Sequence, residues 1–477
     1  MVNMETAIPN KERTQLEDQA LEELGDRLQG DLLRPGESGY EEARSIWNAM
    51  IDKRPVAIAR CLETADVVEA VNFARDHQLL LSVRGSGHNV AGNAVVDGGF
   101  MIDLSLMKDI HVEPENRTAT AQPGVVFGEL DIATQPYGLA APGGIVSETG
   151  IAGLTLGGGF GWLSRKYGFT CDNLLSAEVV IASGEVLTAS ESENPDLFWG
   201  IRGGGGNFGI VTRFEFQLQP VGPEVLAGMT VYRLEEAVEA LEFFRDFTAY
   251  SPDELGAMAV FRLAPPAPFI PEEVHGEPIL AIMVCYVGEV EEGEKVIEPL
   301  RDFGDPIVDA IKPKPFAEHN SSLDAGQPEG MHYYWKSEYM NEITDGAIEA
   351  LVDHAARMTS TYTRLALFQL GGAIQNYDEG AMAVSHRDVE YIVAINTGWD
   401  DPADTEGRIK WTKDTWKAIR PYSSGGVYVN FLSEDDGEER IWAAYGGGEK
   451  YERIVELKTK YDPTNLFQLN KNIKPKA

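Results

Sequence analysis

The sequence predicts an α+β chain folded as two lobes, and three observations carry that prediction. At 477 residues the chain is longer than one hydrophobic core usually serves, so two domains or one large bilobal unit is expected. From residue 54 to 216, short helices, apolar strands and many glycine turns alternate. After Pro220 the texture changes: longer, glutamate-rich helices alternate with extended apolar segments, the pattern of a second lobe carrying a broad sheet.

The elements come in order along the chain. The first fifty residues are hydrophilic and helical in pattern, a lead-in to the globular part. Thr64 stands where an N-cap would, Asp66 falls in the first turn, and Val67, Ala70, Val71 and Ala74 recur at helical spacing until the helix ends near His77. Residues 79–83 then read as a buried strand that delivers the chain into Arg84-Gly85-Ser86-Gly87-His88-Asn89. Strands over 100–104 and 118–121 come next, and Pro123-Gly124 breaks the pattern before a helix over 126–135. Beyond Pro220, helices are predicted over 234–248 and 345–358 and strands over 279–287, 364–370 and 390–396. A last helix over 451–460 is closed by Asp462-Pro463, and Pro265-Pro266-Ala267-Pro268 reads as a rigid loop within the lobe.

Composition narrows the function classes. Apolar residues make up 43% and charged residues 24%, as in a globular protein, while 40 Lys and Arg against 76 Asp and Glu leave a formal charge of −36. That field repels polyanions, so neither nucleic acid nor an anionic membrane surface is an expected partner. The acid is spread along the chain, which predicts adaptation to a high-salt cytoplasm where screening removes self-repulsion. No stretch approaches the roughly 20 apolar residues of a membrane span, and the N-terminus has no basic region followed by an apolar one. Cys61, Cys171 and Cys285 show no CxxC spacing; they suit a reducing, cytoplasmic setting as core residues, and no metal site is expected.

Forty-nine glycines, about a tenth of the chain against a usual roughly 7%, gather at 85–92, 143–144, 150–161 and 203–209. Any one cluster reads equally as tight turns between strands. Four in one lobe point to backbone N–H groups cradling an anion, most plausibly a pyrophosphate. No GxxxxGK[ST] occurs, so a P-loop hydrolase is unsupported. Gly204-Gly205-Gly206-Asn207-Phe208-Gly209 matches GxGxxG, but Asn194-Pro195 starts a helix before it and residues 210–216 alternate like a strand behind it. The dinucleotide fold demands strand, loop, helix, so this match is accidental.

Five stretches carry a wider resemblance: Arg84 through Asn89; Pro142-Gly143-Gly144 through Gly157-Gly158-Gly159-Phe160-Gly161-Trp162; Tyr167-Gly168-Phe169-Thr170-Cys171-Asp172-Asn173; Asn194-Pro195-Asp196-Leu197-Phe198-Trp199 with 202–209; and Tyr461-Asp462-Pro463-Thr464-Asn465-Leu466-Phe467 with Asn470 and Asn472. In order and spacing they resemble the FAD-linked oxidases of the vanillyl-alcohol-oxidase superfamily, specifically the berberine-bridge-enzyme-like branch. The resemblance spans residues 47–473. It implies a two-lobed, FAD-binding PCMH-type fold with a substrate domain built on a large antiparallel sheet covered by helices. It divides the chain into a helical lead-in over 1–50, an FAD-binding domain over 51–225, a substrate-binding domain over 226–432, and a C-terminal segment over 433–477 that returns to the FAD domain.

The same resemblance supplies site residues. His88 falls on the family's histidine that bonds to the 8α-methyl of the flavin, a role that suits a neutral imidazole; Ser86 replaces a frequent glycine beside it. The implied cofactor-binding set is Arg84, Gly85, Ser86, Gly87, His88, Asn89 and Gly92; Gly144, Thr149, Gly150, Gly153, Gly157, Gly158 and Gly161; Asn207, Gly209, Ile210 and Val211; and Asn470 and Asn472. Many relatives add a second bond from a cysteine, but that position falls on Val146, and Cys171 reads as a packed thiol near the cofactor. One covalent bond, through His88, is therefore expected.

Relatives take the substrate proton with a tyrosine ending a YxNY stretch, here Tyr428-Val429-Asn430-Phe431 without the terminal hydroxyl. A second, carboxylate base falls near Ile392. The remaining polar candidates are Tyr428, Tyr391, Gln369, Asn396 and His386, with Tyr428 first and Tyr391 second as catalytic residues. Tyr391 and Val393 face one way along their strand, Glu390 and Ile392 the other. As a base near neutrality, Tyr428 needs its pKa of about 10 lowered or a partner. The resemblance implies an oxidoreductase that takes hydride from a small alcohol, sugar or secondary-metabolite carbon to FAD, with oxygen the reoxidant and hydrogen peroxide the product. The alternatives are a dehydrogenase with another electron acceptor, Thr149 being the candidate that governs oxygen access, and a flavin-binding protein without turnover.

Overall fold

The computed structural model describes residues 18–476, so the first part of the predicted lead-in, residues 1–17, lies outside the described residues. Residues 18–50 are more than a lead-in. The helix Asp18–Gly25 buries Leu21 and Leu24, and Asp31–Leu33 is a strand pairing antiparallel with Ala57–Arg60. Tyr40 is fully buried, and its hydroxyl donates to the Pro55 carbonyl at 2.6 Å. The apolar residues of this stretch are few, but those of the helix and Tyr40 are buried, and Leu32 and Leu33 are half-buried.

The N-terminal lobe holds two main sheets and a two-stranded ribbon of Leu139–Ala140 with Gln219–Pro220. Ala57–Arg60, Phe100–Asp103 and Leu81–Arg84 run parallel side by side, with Asp31–Leu33 on the edge. The helix Thr64–Asp76 covers them with Val67, Ala70, Val71 and Ala74 inward, as the helical spacing predicts. Its cap differs from expectation. Glu63 holds the N-cap backbone position, and the Thr64 hydroxyl donates instead to the Glu178 carboxylate at 2.6 Å, a charge-assisted bond stronger than a neutral cap. Asp66, also expected only to sit in the first turn, is buried and accepts from the backbone N–H groups of Gln29, Gly30 and Leu62, tying the N-terminal segment down. The second sheet is antiparallel, in the order Ile110–Glu113, Thr118–Ala121, Ile210–Gln217, Leu174–Val180, Val186–Ser190.

The second lobe is one antiparallel sheet in the order Val308–Asp309, Val225–Arg233, Pro278–Tyr286, Leu255–Leu263, Arg364–Gln369, Tyr391–Trp399, His332–Met340; Lys312–Lys314 pairs alongside the second. Both faces are covered, so its strands read as near-continuous apolar runs. One face carries Ala259, Phe261, Ile282, Leu367, Val393 and Ile395 beneath the helices Ala237–Ala249, Asp345–Ala355 and Thr405–Ile419. The alternate residues Met258, Val260, Met283, Ala366, Phe368, Ile392 and Ala394 face the first lobe.

The tail closes the structure. In the helix Gly448–Tyr461 the buried Lys458 pairs with Asp462 at 2.6 Å and donates to the carbonyls of Asn207 and Phe467. Asp462 in turn accepts from the N–H groups of Leu466 and Phe467. A charge pair removed from water needs such additional hydrogen bonds, and here they fix the tail against the 203–209 loop. That loop lies between the helix Pro195–Ile201 and the strand Ile210–Gln217, the reverse of the dinucleotide-fold order.

Candidate active site

A cavity of about 360 Å³ lies between the glycine loops of the first lobe, the C-terminal tail and the inner face of the large sheet. Gly85, Ser86, Gly87, His88 and Asn89 line it from one loop, Gly144, Thr149, Gly150 and Gly153 from a second, Gly209, Ile210 and Val211 from a third, and Asn470 from the tail. Four sequence-distant segments thus meet on one space.

The strand Leu81–Arg84 leads directly into the His88 loop. Arg84 stays behind it, its guanidinium donating to the Ala43 carbonyl at 2.6 Å, and Gly87 turns the chain with φ +82°, where a side chain would be strained. The His88 ring stacks on Trp47 at 4.4 Å, Trp47 stacks on Tyr333 at 3.7 Å, and the Trp47 indole N–H donates to the Gln327 carbonyl. His88 Nε2 is buried and has no hydrogen-bond partner. Burial lowers its pKa to about 4, so the imidazole of this cavity-lining residue is neutral at pH 7.

The second loop interlocks with the first, since a side chain at Gly150 would strike the Ser86 hydroxyl. At Gly153 the opposite holds: a Cβ would meet nothing within 4 Å, so a side chain there would enter the cavity. Several expected cofactor contacts do not touch the cavity, for packing reasons. Gly157 is pressed against the Asn430 amide, Gly158 against Val384, Gly161 against the Gly143 carbonyl, and Gly92 turns beside Ile51. Asn207 spans the loop and the tail, donating to the Gly204 and Lys471 carbonyls and accepting from Ile473 N–H. Asn472 also lies off the cavity wall, its Oδ1 buried without a partner. Cys171 is one layer back, its N–H on the Gly158 carbonyl and its thiol pushed well up by burial.

Tyr428 lines the cavity. Its phenol oxygen accepts from the Gly159 N–H at 3.1 Å and the Asn430 side-chain amide at 2.9 Å, while burial pushes its pKa well above the ordinary value of about 10. Tyr391 is a correction. It shares the helix-side face with Val393, and its hydroxyl is bonded to Thr248 Oγ1 at 2.9 Å, away from the cavity. The predicted alternation is present, but Ile392, Ala394 and Asn396 alternate onto the face toward the first lobe, where Asn396 reaches the cavity. Of the other polar candidates, Gln369 donates to the Thr248 carbonyl, and His386 is bound to the Ala443 carbonyl at 2.7 Å.

Among the lining residues that the sequence did not point to, four carry charge or a phenol. Arg262 and Arg364 enter from the sheet, and a lone charge in a strand apolar on both faces is the signal that could have found them. Lys471 and Tyr445 come from the tail; Lys471 Nζ donates to the Ser433 carbonyl, and burial lowers its pKa to about 8. Trp47, the support behind His88, carries no motif at all. No Asp or Glu lines the cavity among the described residues, and no group of three or more metal-ligating side chains is found among them. None of the described helices is long and apolar enough to cross a membrane.

Glycine loops around an open cavity, beside a neutral imidazole whose Nε2 is unpartnered, leave room for a large ligand, and comparison with known proteins says of which class. Residues 55–190 match the FAD binding domain family, and residues 427–474 match the berberine and berberine-like family. The chain is similar to an FAD-linked oxidoreductase of Dictyostelium discoideum, 31% identical over 462 residues that cover 96% of this chain and 97% of that protein. It is 32% identical over 463 residues to (R)-6-hydroxynicotine oxidase of Paenarthrobacter nicotinovorans, covering 94% and 98% of the two chains. The crystal structure of 6-hydroxy-D-nicotine oxidase from Arthrobacter nicotinovorans superposes with a TM-score of 0.84 at 29% identity, over 94% of this chain and 98% of that one. Fold and site therefore define an FAD-linked oxidoreductase with the two-lobed PCMH-type architecture. Within that class, the chain belongs to the berberine-bridge-enzyme-like family.

Proposed function

We propose that this enzyme oxidises a small alcohol, sugar or secondary-metabolite substrate using FAD bound covalently through His88 alone, with oxygen as the terminal acceptor. The observation that carries the reading is the buried, unpartnered His88 Nε2, on a neutral ring, in a cavity that continues to the sheet. Bound FAD supplies a two-electron hydride acceptor; the protein supplies position, electrostatics and access.

Each wall has a separate task. The Trp47–Tyr333 stack holds the His88 ring in one orientation. The loops at Gly144, Gly150 and Gly153 let backbone approach the cofactor, with Ile210, Val211 and Asn470 closing the far side. Val146, at the position where many relatives carry a cysteine, lines the same cavity with only methyl groups, which supports a single covalent bond. Tyr428 takes the substrate hydroxyl proton. The Gly159 N–H and Asn430 amide already point at its oxygen and would stabilise the phenolate, opposing the burial that disfavours it. Substrate C–H is lost as hydride and O–H as a proton, leaving a carbonyl; two electrons and two protons then reduce oxygen to hydrogen peroxide. Thr149 lines the cavity and is the proposed control on oxygen access.

The acidic excess and the thiols extend the reading to the setting. Cys61, Cys171 and Cys285 are all buried and unpaired, consistent with a reducing cytoplasm. The charge of −36 supports a fold whose melting temperature rises between low and molar salt. The central test is chemical: the acid-precipitated protein should keep its yellow colour in the pellet. Anaerobic bleaching across sugars, alcohols, phenols and 6-hydroxynicotine then identifies the substrate class, and peroxide release against dye-only turnover separates an oxidase from a dehydrogenase.

A further inference from the structure

Arg262 and Arg364 occupy adjacent strands. The register of Leu255–Leu263 against Arg364–Gln369 pairs Phe261 with Leu365, and the next step sets Arg262 opposite Arg364. Arg364 pairs on its other side with Asn396, and Asn396 with Trp335. The four side chains therefore form one row across four strands, and all four line the cavity.

That row is short of partners. Arg364 Nη2, which packs beside Gly326, and Trp335 Nε1 are buried donors with no hydrogen bond, the Asn396 Oδ1 acceptor is likewise unpaired, and the Arg262 Nε reaches only the neighbouring Leu263 carbonyl at 3.3 Å. No described carboxylate pairs with either arginine, in a chain that has 76 acids for 40 cations. Burial and the facing Arg262 push Arg364 down to about 9, against 12.5. Two like charges opposed across a sheet, Arg364 buried and Arg262 half-buried, disfavour the fold. An arrangement of that kind persists where a ligand supplies the missing charge, and unsatisfied buried donors at a cavity wall mark where it binds.

The rest of the lining describes the ligand. Met229, Met258, Val260, Met283 and Phe368 surround the pair with apolar surface, so the occupant is an organic molecule and not a bare ion. Guanidinium groups match planar carboxylates through paired N–H donors. Trp335 meets Phe431 edge-on at 5.4 Å, and Phe431 meets Tyr428 at 5.0 Å, so the row leads along an aromatic wall to the proposed base. We propose that the substrate carries a carboxylate, held by Arg262 and Arg364, with its oxidisable carbon toward Tyr428. This inference rests on the hydride-transfer reading above and sets the substrate apart from a cationic amine, which the same pair would repel.

The test is calorimetric titration of the flavin-loaded enzyme with acetate, benzoate and D-glucuronate, each against its neutral partner acetamide, benzamide or D-glucose. At least one carboxylate should bind about tenfold or more tightly than its neutral partner. That preference should vanish in Arg364→Gln and Arg262→Gln and survive in part in Arg364→Lys, which keeps the charge without the fork. Without ligand, Arg364→Gln should melt higher than the wild type, because the buried member of two opposed charges is gone. The proposal is overturned if no carboxylate is preferred over its partner, if the preference is unchanged in both glutamine variants, or if Arg364→Gln loses its flavin, which would assign the arginines to the cofactor. Flavin reduction by neutral substrates only would overturn it while leaving the hydride reading intact; carboxylate binding without any flavin reduction would do the reverse.

Discussion

On one wall of the cavity the ligand-facing groups come from short contiguous runs, residues 85–89, 144–153 and 209–211; on the other, Arg262, Trp335, Arg364 and Asn396 each arrive on a different strand. The first wall works through backbone and one neutral ring, the second through charged and polar side chains in register. The glycine wall fits a cofactor shared across a family, because close backbone approach tolerates little variation. The sheet wall can exchange single side chains without disturbing strand pairing, which suits the substrate contact proposed there.

The largest expected effect breaks the glycine wall at the imidazole proposed to hold the flavin. His88→Ala should lose all covalently held flavin, read as colour passing from the acid pellet into the supernatant, while the wild-type pellet stays yellow. The next effect tests the proposed base, which lies between the two walls. Tyr428→Phe should slow flavin reduction roughly a hundred- to ten-thousand-fold, the usual worth of a positioned base. Since the phenol's pKa is raised, the wild-type rate should climb with pH beyond about 10 as the phenolate forms, and the variant should lose that climb.

A third prediction concerns the seam between the lobes, where Asn320 of the helix Phe316–Asn320 donates to Asp131 of the helix Phe127–Thr134 at 2.8 Å. Burial raises the Asp131 pKa to about 7, above its ordinary 3.8. The folded chain therefore keeps a proton that the unfolded chain has released, and stability falls as pH rises from about 4 to about 7. Asp131→Asn retains the contact to Asn320 and removes the charge. It should be more stable than the wild type at pH 8, by on the order of a few kcal/mol, and nearly equal to it at pH 4, as measured by denaturant titration at both values.

The smallest effect returns to the glycine wall. Gly153→Ala has open space for its methyl and lies in the helix Ile151–Leu156, so the flavin-free fold should gain about 0.5–1 kcal/mol. Flavin content after purification should nevertheless fall, because the methyl projects into the cavity. A gain in both quantities would show that a methyl at residue 153 does not obstruct the flavin.

Much of the first wall was legible in the amino-acid order. Strand, glycine turn and histidine are consecutive, so their geometry is local, and residues 118–121 form a strand as their pattern indicates. Where structure and expectation part, a distant partner intervenes: Glu178 draws the Thr64 hydroxyl away from capping, and Gly157, Gly158 and Gly161 serve close packing against other segments. Trp47 supports His88 from a hydrophilic stretch in which nothing marks it.

By itself the sequence determined where backbone turns, which imidazole sits at the end of a strand, and which residues of a strand share a face, because these follow from chain geometry over a few residues. Only the tertiary structure decided that Tyr391 looks toward the helices while Asn396 looks into the cavity, and that Arg262 stands opposite Arg364. A two-residue period fixes alternation but not which face meets the ligand; that choice is made by long-range pairing and by what each face finds to bury.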